Sequence, residues 1–316
     1  MTQYVLRRLA SLVPVLLVVA VIVFALVHLT PGDPASVILG DNATTDQVRQ
    51  LHHELGLDAP LYLQFAHWLG NACRFRFGQS LFLNRPVTQA LLDRAQPTGL
   101  LTLYALAIAV LIGVPAGIIA ALRRNSALDR VLMMLAISGV AIPSFVLGIL
   151  LILLFAILLH WLPAGGYIPF SQNPSAHVKT MVMPAFSLGF ASSALLARIV
   201  RSSMLDVLRE DYVRTAYAKG LRTQVVVLRH ALRNALIPIV TVVGISLGGL
   251  LSGAVVTETV FNLPGMGQLV VQSVLRRDFP LIQGAVMITA TVYLLVNLVV
   301  DLLYVYLDPR IRYGSE

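Results

Sequence analysis

Long apolar runs separated by short polar segments dominate this chain of 316 residues. A helix needs about 20 consecutive apolar residues to cross a bilayer core. Six runs are long enough, at residues 9–29, 99–122, 131–159, 181–200, 235–257 and 281–305. Because a soluble protein cannot bury several helices that are apolar on every side, the pattern predicts an all-α polytopic membrane protein with six transmembrane helices.

Two of these runs have features of their own. The third is longer than one span requires and contains Pro143, which predicts a kink or tilt that absorbs the excess length. The first follows Arg7 and Arg8, as a cleaved signal peptide would. It is longer than the apolar region of a typical signal peptide and no small-residue cleavage site follows it, so a retained first span is favoured.

The polar segments predict how the chain is divided. The stretch "TPGDP" from Thr30 to Pro34 predicts a turn after the first span, and "TTDQVRQLHHELGL" and "APLYLQFAHWL" predict short amphipathic helices. We expect three parts: a first helix with an external segment (1–98), a five-helix membrane core containing a cytoplasmic loop at 201–234 (99–305), and a cytoplasmic tail (306–316).

The positions of Lys and Arg predict the orientation of the spans. With six spans, one side of the membrane carries fifteen of the 23 basic residues, although its segments are mostly short. The opposite side carries eight, five of them in the long 30–98 segment, which counts little toward topology. The positive-inside rule therefore predicts that the N- and C-termini are cytoplasmic.

The composition adds little beyond this topology. A mean hydropathy of +0.81 with 12% charged residues agrees with a membrane protein, and the topological bias accounts for most of the net charge of +8. No nucleic-acid partner is expected. Cys73 is the only cysteine, so it cannot form an intrachain disulfide, and we expect it to be a small buried apolar residue.

The chain lacks the residues of an energy source. A phosphate-binding loop requires Gly-x-x-x-x-Gly-Lys-Ser/Thr, but the two lysines, Lys179 and Lys219, do not follow a glycine. We therefore expect no ATPase site, no enzyme activity, no metal site and no cofactor in this chain. An ion-coupled carrier using Asp301, near the end of the sixth span, is one alternative, although a structural role for Asp301 is favoured. A membrane scaffold without a pathway is another.

Small residues at helical spacing predict close helix packing in two spans. Gly113 and Gly117 flank Pro115 in the second span. The fifth span contains two Gly-x-x-x-Gly pairs: Gly244 with Gly248, and Gly249 with Gly253. Such pairs let helix backbones approach closely. Packing within the subunit is the favoured interpretation, and a pathway wall that includes these glycines with Pro143 and Asp301 is the alternative.

The Arg-rich stretch from Glu210 to Val240 interrupts the apolar pattern on the predicted cytoplasmic side. Tyr212, Val213, Ala216 and Tyr217 share one face of a predicted helix, which we expect to end at Gly220. We expect Thr223 to cap a second helix before Pro238 marks the return to the membrane. The pattern predicts two helices joined at a glycine, lying on the membrane surface or binding a soluble partner.

At these residues the chain resembles a known family. "EDYVRTAYAKGL" and "LRHALRNALIPIVT" resemble the coupling loop in the permeases of bacterial ABC importers. The run from Arg214 to Gly220 resembles the first permease of the dipeptide, oligopeptide and nickel branch, with Tyr217 where that branch more often has Arg. Further segments resemble the family along nearly the whole chain: "YVLRRL", "HLTPGDP", "ELGLDAPLYLQF", "ARIVRSSMLDVL", "TETVFNLPGMGQLV", "RRDFPLIQG" and "NLVVDLLYVYLDPRIRYG".

The resemblance implies a type I importer fold in the bacterial inner membrane. It implies a pathway shared with a second homologous permease, two ATPase subunits that bind ATP and Mg²⁺, and an external solute-binding protein. The implied substrates are dipeptides or oligopeptides, or alternatively glutathione or a nickel chelate. The residues implied to contact the ATPase are Asp211, Tyr212, Arg214, Thr215, Ala216, Lys219, Gly220, Leu221, Arg222, Arg229 and His230.

Overall fold

The computed structural model describes residues 2–29, 44–54 and 58–307, and helices account for most of this part of the chain. The first four helices are α1 (Thr2–Leu29), α2 (Thr45–Glu54), α3 (Leu61–Ala72) and α4 (Val87–Leu122). The next four are α5 (Ala127–Ala141), α6 (Ser144–Leu158), α7 (Pro174–Val207) and α8 (Asp211–Ala218). The last three are α9 (Thr223–Val260), α10 (Met266–Leu275) and α11 (Phe279–Leu307). Residues 152–158 of α6 and 226–231 of α9 are π-helical.

Five of the described helices are long and apolar enough to cross a membrane: α1, α4, α7, α9 and α11. The short helices expected in the 30–98 segment are present as α2 and α3. The turn expected at Thr30–Pro34 lies outside the described residues, as do positions 308–316 of the expected tail.

The third predicted span is not a single kinked helix. Helices α5 and α6 together cover it, but they are bent by 102° at Ile142–Pro143, and a sixth span exists only if this pair is counted as one. Pro143 disfavours the helical conformation of the residue before it, and Ile142 is accordingly extended, with φ −85° and ψ 119°. A proline also lacks the N–H that would continue the helical hydrogen bonds. The kink expected at Pro143 is therefore present as a break between two helices.

The described residues form two compact units. The first comprises the described residues within 2–96 and 269–294, and the second comprises residues 97–268 and 295–307. In the first unit, Asp278 is fully buried and accepts hydrogen bonds from Ser80 Oγ at 2.5 Å and from the Phe82 backbone N–H at 3.1 Å. Cys73 is exposed in this unit, at the edge of an apolar groove that also includes Val13 and Met287, so the expectation that it is buried was wrong. The reason is that it follows the last residue of α3, where the chain turns at the surface.

Helix α7 organises the second unit. It packs against α5, α6 and α9, and two-thirds of its apolar window is buried. Gly113 and Gly117 bring α4 against its backbone: a Cβ at either position would lie 2.6 Å from a carbonyl oxygen, that of Ser193 or that of Ala197. Since real Cβ atoms do not approach that closely, these glycines set the separation of α4 and α7.

Candidate functional site, a two-helix elbow between α7 and α9

Helix α8 and the first turns of α9 form an elbow within the second unit. Three residues, Leu208 to Glu210, join α7 to α8, and four residues, Lys219 to Arg222, join α8 to α9. Helix α8 ends in a Schellman motif: Gly220 N–H donates to Tyr217 O at 2.9 Å, and Leu221 N–H donates to Ala216 O at 3.4 Å. Gly220 has φ +79°, the left-handed conformation that this motif requires.

The second arm begins differently from the sequence prediction. Thr223 is the first residue of α9 rather than its cap, and Arg222 occupies the capping position in an extended conformation without a side-chain hydrogen bond. Pro238 lies inside α9, which continues through it to Val260. The arm is therefore continuous with a long apolar helix, so a displacement of the arm also displaces that helix.

Apolar contacts hold the two arms of the elbow together. Val213 and Val226 are fully buried, and with Ala216 they pack against Val207 and Leu208 at the end of α7. Tyr212 and Tyr217 belong to the same predicted face, yet each is about two-fifths exposed. The buried face of α8 is therefore narrower than the sequence suggests, because the two tyrosines lie at its edges.

A polar contact adds to this packing. Asn234 on α9 donates from Nδ2 to the Tyr212 hydroxyl at 2.8 Å and to the His230 carbonyl at 3.0 Å. Asn234 could not be predicted from the sequence, because a residue 22 positions from its partner leaves no periodic signal.

The second arm of the elbow packs into the core of the second unit. Val227, Ala231 and Ala235 of α9 are buried in a cluster with Val200 of α7 and Ala121 of α4. These contacts connect the second arm to two long helices besides its own. The elbow is thus an extension of the packed core, rather than a loop attached by its ends alone.

The outward side of the elbow is charged. Arg214 lies 3.5 Å from Asp211, with the two side chains 77% and 97% exposed, so this pair is well solvated. The exposed charged residues of the elbow are Arg209, Glu210, Asp211, Arg214, Lys219, Arg222, Arg229 and Arg233, and its exposed polar residues include Thr215, Thr223 and Gln224. Leu221 is also exposed, whereas His230 is half-buried. The elbow therefore has a mainly basic outer surface, and its inner side is packed against the core of the second unit.

The glycines of α9, expected to pack closely within the subunit or alternatively to line a pathway wall, face different surroundings. A Cβ at Gly253 would lie 3.0 Å from Leu188 of α7, and one at Gly244 would clash with Val300 of α11. Gly248 is buried, whereas a Cβ at Gly249 would meet open space. Pro143 is exposed at the break between α5 and α6, and Asp301 is half-buried on α11. The structure does not gather these residues into one cluster.

A buried carboxylate fixes the loop that follows α9. Glu258 is fully buried and accepts hydrogen bonds from Thr98 Oγ1 at 2.5 Å and from Gln268 N–H at 3.0 Å. Thr98 Oγ1 in turn accepts from Met266 N–H at 2.8 Å. The sequence showed only that Glu258 lies within "TETVFNLPGMGQLV", and its connection to Thr98, 160 positions away, needed the fold.

Sequence comparisons place the chain among transport proteins. Residues 113–313 match the model of the binding-protein-dependent transport system inner membrane component, and residues 1–102 match that of its N-terminal region. The glutathione transport system permease protein GsiC of Escherichia coli K12 is 46% identical over 313 residues, covering 99% of this chain and all of GsiC. A putative peptide transport system permease protein of Brucella abortus is 42% identical over the same length and coverage.

Structural comparison agrees on the fold. An inward-facing structure of the MetNI methionine ABC transporter gives a TM-score of 0.56 at 17% identity, covering 70% of this chain and 97% of that chain. A second inward-facing form of that transporter gives a TM-score of 0.53. The predicted all-α, type I importer permease fold is confirmed, and this chain forms the pathway while ATPase activity lies in partner subunits. The chain therefore belongs to the family of binding-protein-dependent transport system inner membrane components, as a multi-pass inner-membrane permease of its peptide ABC importer branch.

Proposed function

We propose that the elbow is the surface on which separate ATPase subunits bind and drive this permease. The observation that carries the proposal is the combination of an exposed, charged outer side with an inner side packed into the core. The permease needs an external source of energy, since its sequence contains no phosphate-binding loop. In this proposal ATP and Mg²⁺ are bound by the partners, and the chain itself holds no cofactor.

Force applied to the elbow has two routes into the permease. One leads from α8 through Leu208 into α7, and the other from α8 through its packing on Val226 into α9. Both helices are candidate spans, so a rigid displacement of the elbow changes their positions together. Packed interfaces favour such discrete rigid-body changes over continuous deformation.

The proposal includes an assembly and an orientation. The distribution of Lys and Arg supports cytoplasmic N- and C-termini, which place the elbow where ATP is available. The assembly contains this chain, a second homologous permease, two ATPase subunits and an external solute-binding protein. The proposed ATPase-contacting residues are the exposed members of the expected set: Asp211, Tyr212, Arg214, Thr215, Lys219, Gly220, Leu221, Arg222 and Arg229. Ala216 is buried against the end of α7 and His230 is half-buried, so neither is included.

We further propose that the substrate is a small peptide, with glutathione as the first compound to test. This rests on the names of the two relatives, since one is a glutathione permease and the other a putative peptide permease. Glutathione and dipeptides share amide and carboxylate groups, so one pathway can serve either class. The choice between them is made by uptake measurements with both compounds.

Crosslinking tests the ATPase contact directly. In a Cys73→Ala background, Arg222→Cys places a thiol in the elbow, and Ser171→Cys places one in the exposed loop before α7 as the matched control. In the assembled importer, a short bifunctional reagent is expected to join the ATPase to Arg222→Cys but not to Ser171→Cys. Equal crosslinking at both positions, or at neither, would contradict the proposal.

Uptake into vesicles tests the energy source. Proteoliposomes containing the assembled importer and its binding protein are expected to accumulate labelled glutathione or dialanine only when ATP is supplied on the ATPase side. Uptake that persists without ATP and collapses with the proton gradient would instead identify an ion-coupled carrier.

A further inference from the structure

A partly buried ion pair joins α5 to α7 in the second unit. Arg201 donates from Nε to Asp129 Oδ1 and from Nη2 to Asp129 Oδ2, both at 2.7 Å. The Asp129 side chain is 5% exposed and that of Arg201 is 25% exposed. Two parallel hydrogen bonds between planar groups fix their mutual orientation as well as their distance.

The turn between α4 and α5 holds Asp129 in place. Asn125 N–H donates to Asp129 Oδ2 at 2.9 Å, and Asp129 N–H donates to the capping hydroxyl of Ser126 at 3.2 Å. Asn125 has φ +62°, a left-handed conformation that asparagine tolerates. The carboxylate is therefore fixed to the start of α5, because both its own backbone and the preceding turn restrain it.

Arg201 is equally fixed to the elbow. It lies about two turns before the end of α7, and the next turn contains the fully buried Met204. Helix α7 then ends at Val207, which packs against the apolar cluster of Val213, Ala216 and Val226. A movement of α8 therefore displaces the part of α7 that carries Arg201.

The opposite end of α5 is the break at Ile142–Pro143, where the chain turns by 102° into α6. Gly139, near this break, approaches Ala194 and Phe190 of α7 closely. Helix α5 thus lies along α7, with the ion pair at its start and a close glycine contact near its end.

We propose that Asp129 and Arg201 form a positioning pair that keeps the start of α5 tied to α7, so that a movement of the elbow reaches the bent helices α5 and α6. This inference rests on the proposed role of the elbow. An apolar contact holds two helices together at less desolvation cost than a buried ion pair. The bidentate pair adds a fixed orientation, which a link that transmits movement requires.

Pulsed EPR distances in the assembled, lipid-reconstituted importer test this inference. Spin labels at Leu135→Cys on α5 and Ser202→Cys on α7, both exposed, report on the link in a Cys73→Ala background. With the native pair, we expect one narrow distance distribution that is the same without nucleotide and with ATP and vanadate. A distance that changes between these states in the native protein would overturn the inference.

Two variants separate coupling from folding. Arg201→Lys keeps the charge but loses the second hydrogen bond, and the paired change Asp129→Asn with Arg201→Gln keeps a neutral hydrogen-bonding pair without the charges. The paired variant serves where Arg201→Lys fails to assemble. We expect a broadened distance distribution in both nucleotide states, with ATP hydrolysis retained and uptake of glutathione or dialanine per ATP reduced roughly tenfold. If the variants gave the same distance distributions and the same uptake per ATP as the native importer, the inference would be refuted.

The exposed ion pair between Arg85 and Asp93, 2.8 Å long, provides the control. Its loss in Arg85→Gln is expected to change neither distances nor uptake, since exposed pairs contribute little. The nucleotide-free distances report on the packing of α5 against α7 and not on which surface the ATPase contacts. A negative crosslink at Arg222→Cys with broadened nucleotide-free distances in the variants would therefore reject the elbow's role while retaining the positioning role of the pair.

Discussion

Asn234 on the second arm of the elbow donates a hydrogen bond of 2.8 Å from its side-chain amide to the hydroxyl of Tyr212 on the first arm. The contact lies at the rim of the apolar cluster formed by Val213, Ala216 and Val226. It fixes the direction of α8 on α9, since apolar packing alone tolerates small rotations. In the proposed role of the elbow, the angle between the arms determines which residues face an ATPase.

Removing the hydroxyl tests this contact with little loss of packing. In Tyr212→Phe, we expect α8 to lose about 1 kcal/mol of local stability, because one hydrogen bond between partly exposed groups contributes about that much. Amide hydrogen exchange at residues 213–218 is expected to quicken, with the rest of α9 unaffected. Tyr217→Phe is the matched control, and an equal effect there would contradict the assignment.

The glycine at the bend gives a second prediction. Gly220 has φ +79° and open space around the position of a Cβ, so a substitution is opposed by the backbone rather than by a clash. We expect Gly220→Val to destabilise the turn by about 1–2 kcal/mol and to abolish ATP-driven uptake. Gly220→Asn is expected to retain most uptake, since asparagine adopts this conformation more readily.

ATP-driven uptake by the two variants shows whether the backbone conformation of Gly220 or its lack of a side chain matters. If Gly220→Val and Gly220→Asn were equally inactive, the glycine would be needed for close approach of a partner rather than for its conformation. If both were fully active, the bend would have no part in coupling.

The sequence predicted the elbow better than it predicted the contacts around it. Gly220 and the helical spacing around Val213 and Ala216 are local signals, and the structure places the bend and the buried face there. Asn234 and the pairing of Asp129 with Arg201 depend on residues far apart in the chain, which one sequence without its fold cannot connect. The break at Pro143 was located correctly, but its angle of 102° depends on how α5 and α6 pack against α7.

The glycines of α4 and α9 allow a matched test of helix packing. A Cβ at Gly117 would lie 2.6 Å from Ala197 O, whereas a Cβ at Gly249 would meet nothing within 4 Å. We expect Gly117→Ala to destabilise the permease by about 1–3 kcal/mol, because the backbone of α7 must move. Gly249→Ala is expected to be neutral or to stabilise by up to about 1 kcal/mol, since alanine favours helix.

Thermal unfolding of the purified permease in detergent measures both effects. A lower midpoint for Gly117→Ala with an unchanged or higher midpoint for Gly249→Ala is the expected result. A loss of uptake in Gly249→Ala without a loss of stability would instead assign Gly249 to the pathway or to a contact with the second permease.

The buried carboxylate of Glu258 holds the loop after α9. Glu258 accepts from Thr98 Oγ1 with one oxygen and from Gln268 N–H with the other, and it is fully buried. A glutamine at this position has one accepting oxygen instead of two, so one of these donors loses its partner. We expect Glu258→Gln to cost about 1–3 kcal/mol, the usual penalty for a buried unsatisfied polar group, measured as a lower unfolding midpoint.

The partner of Glu258 gives a matched pair of variants. Thr98→Ser keeps the hydroxyl and is expected to cost less than Thr98→Val, which removes it. Equal losses in these two threonine variants would show that packing of the methyl group, rather than the hydrogen bond to Glu258, fixes the loop.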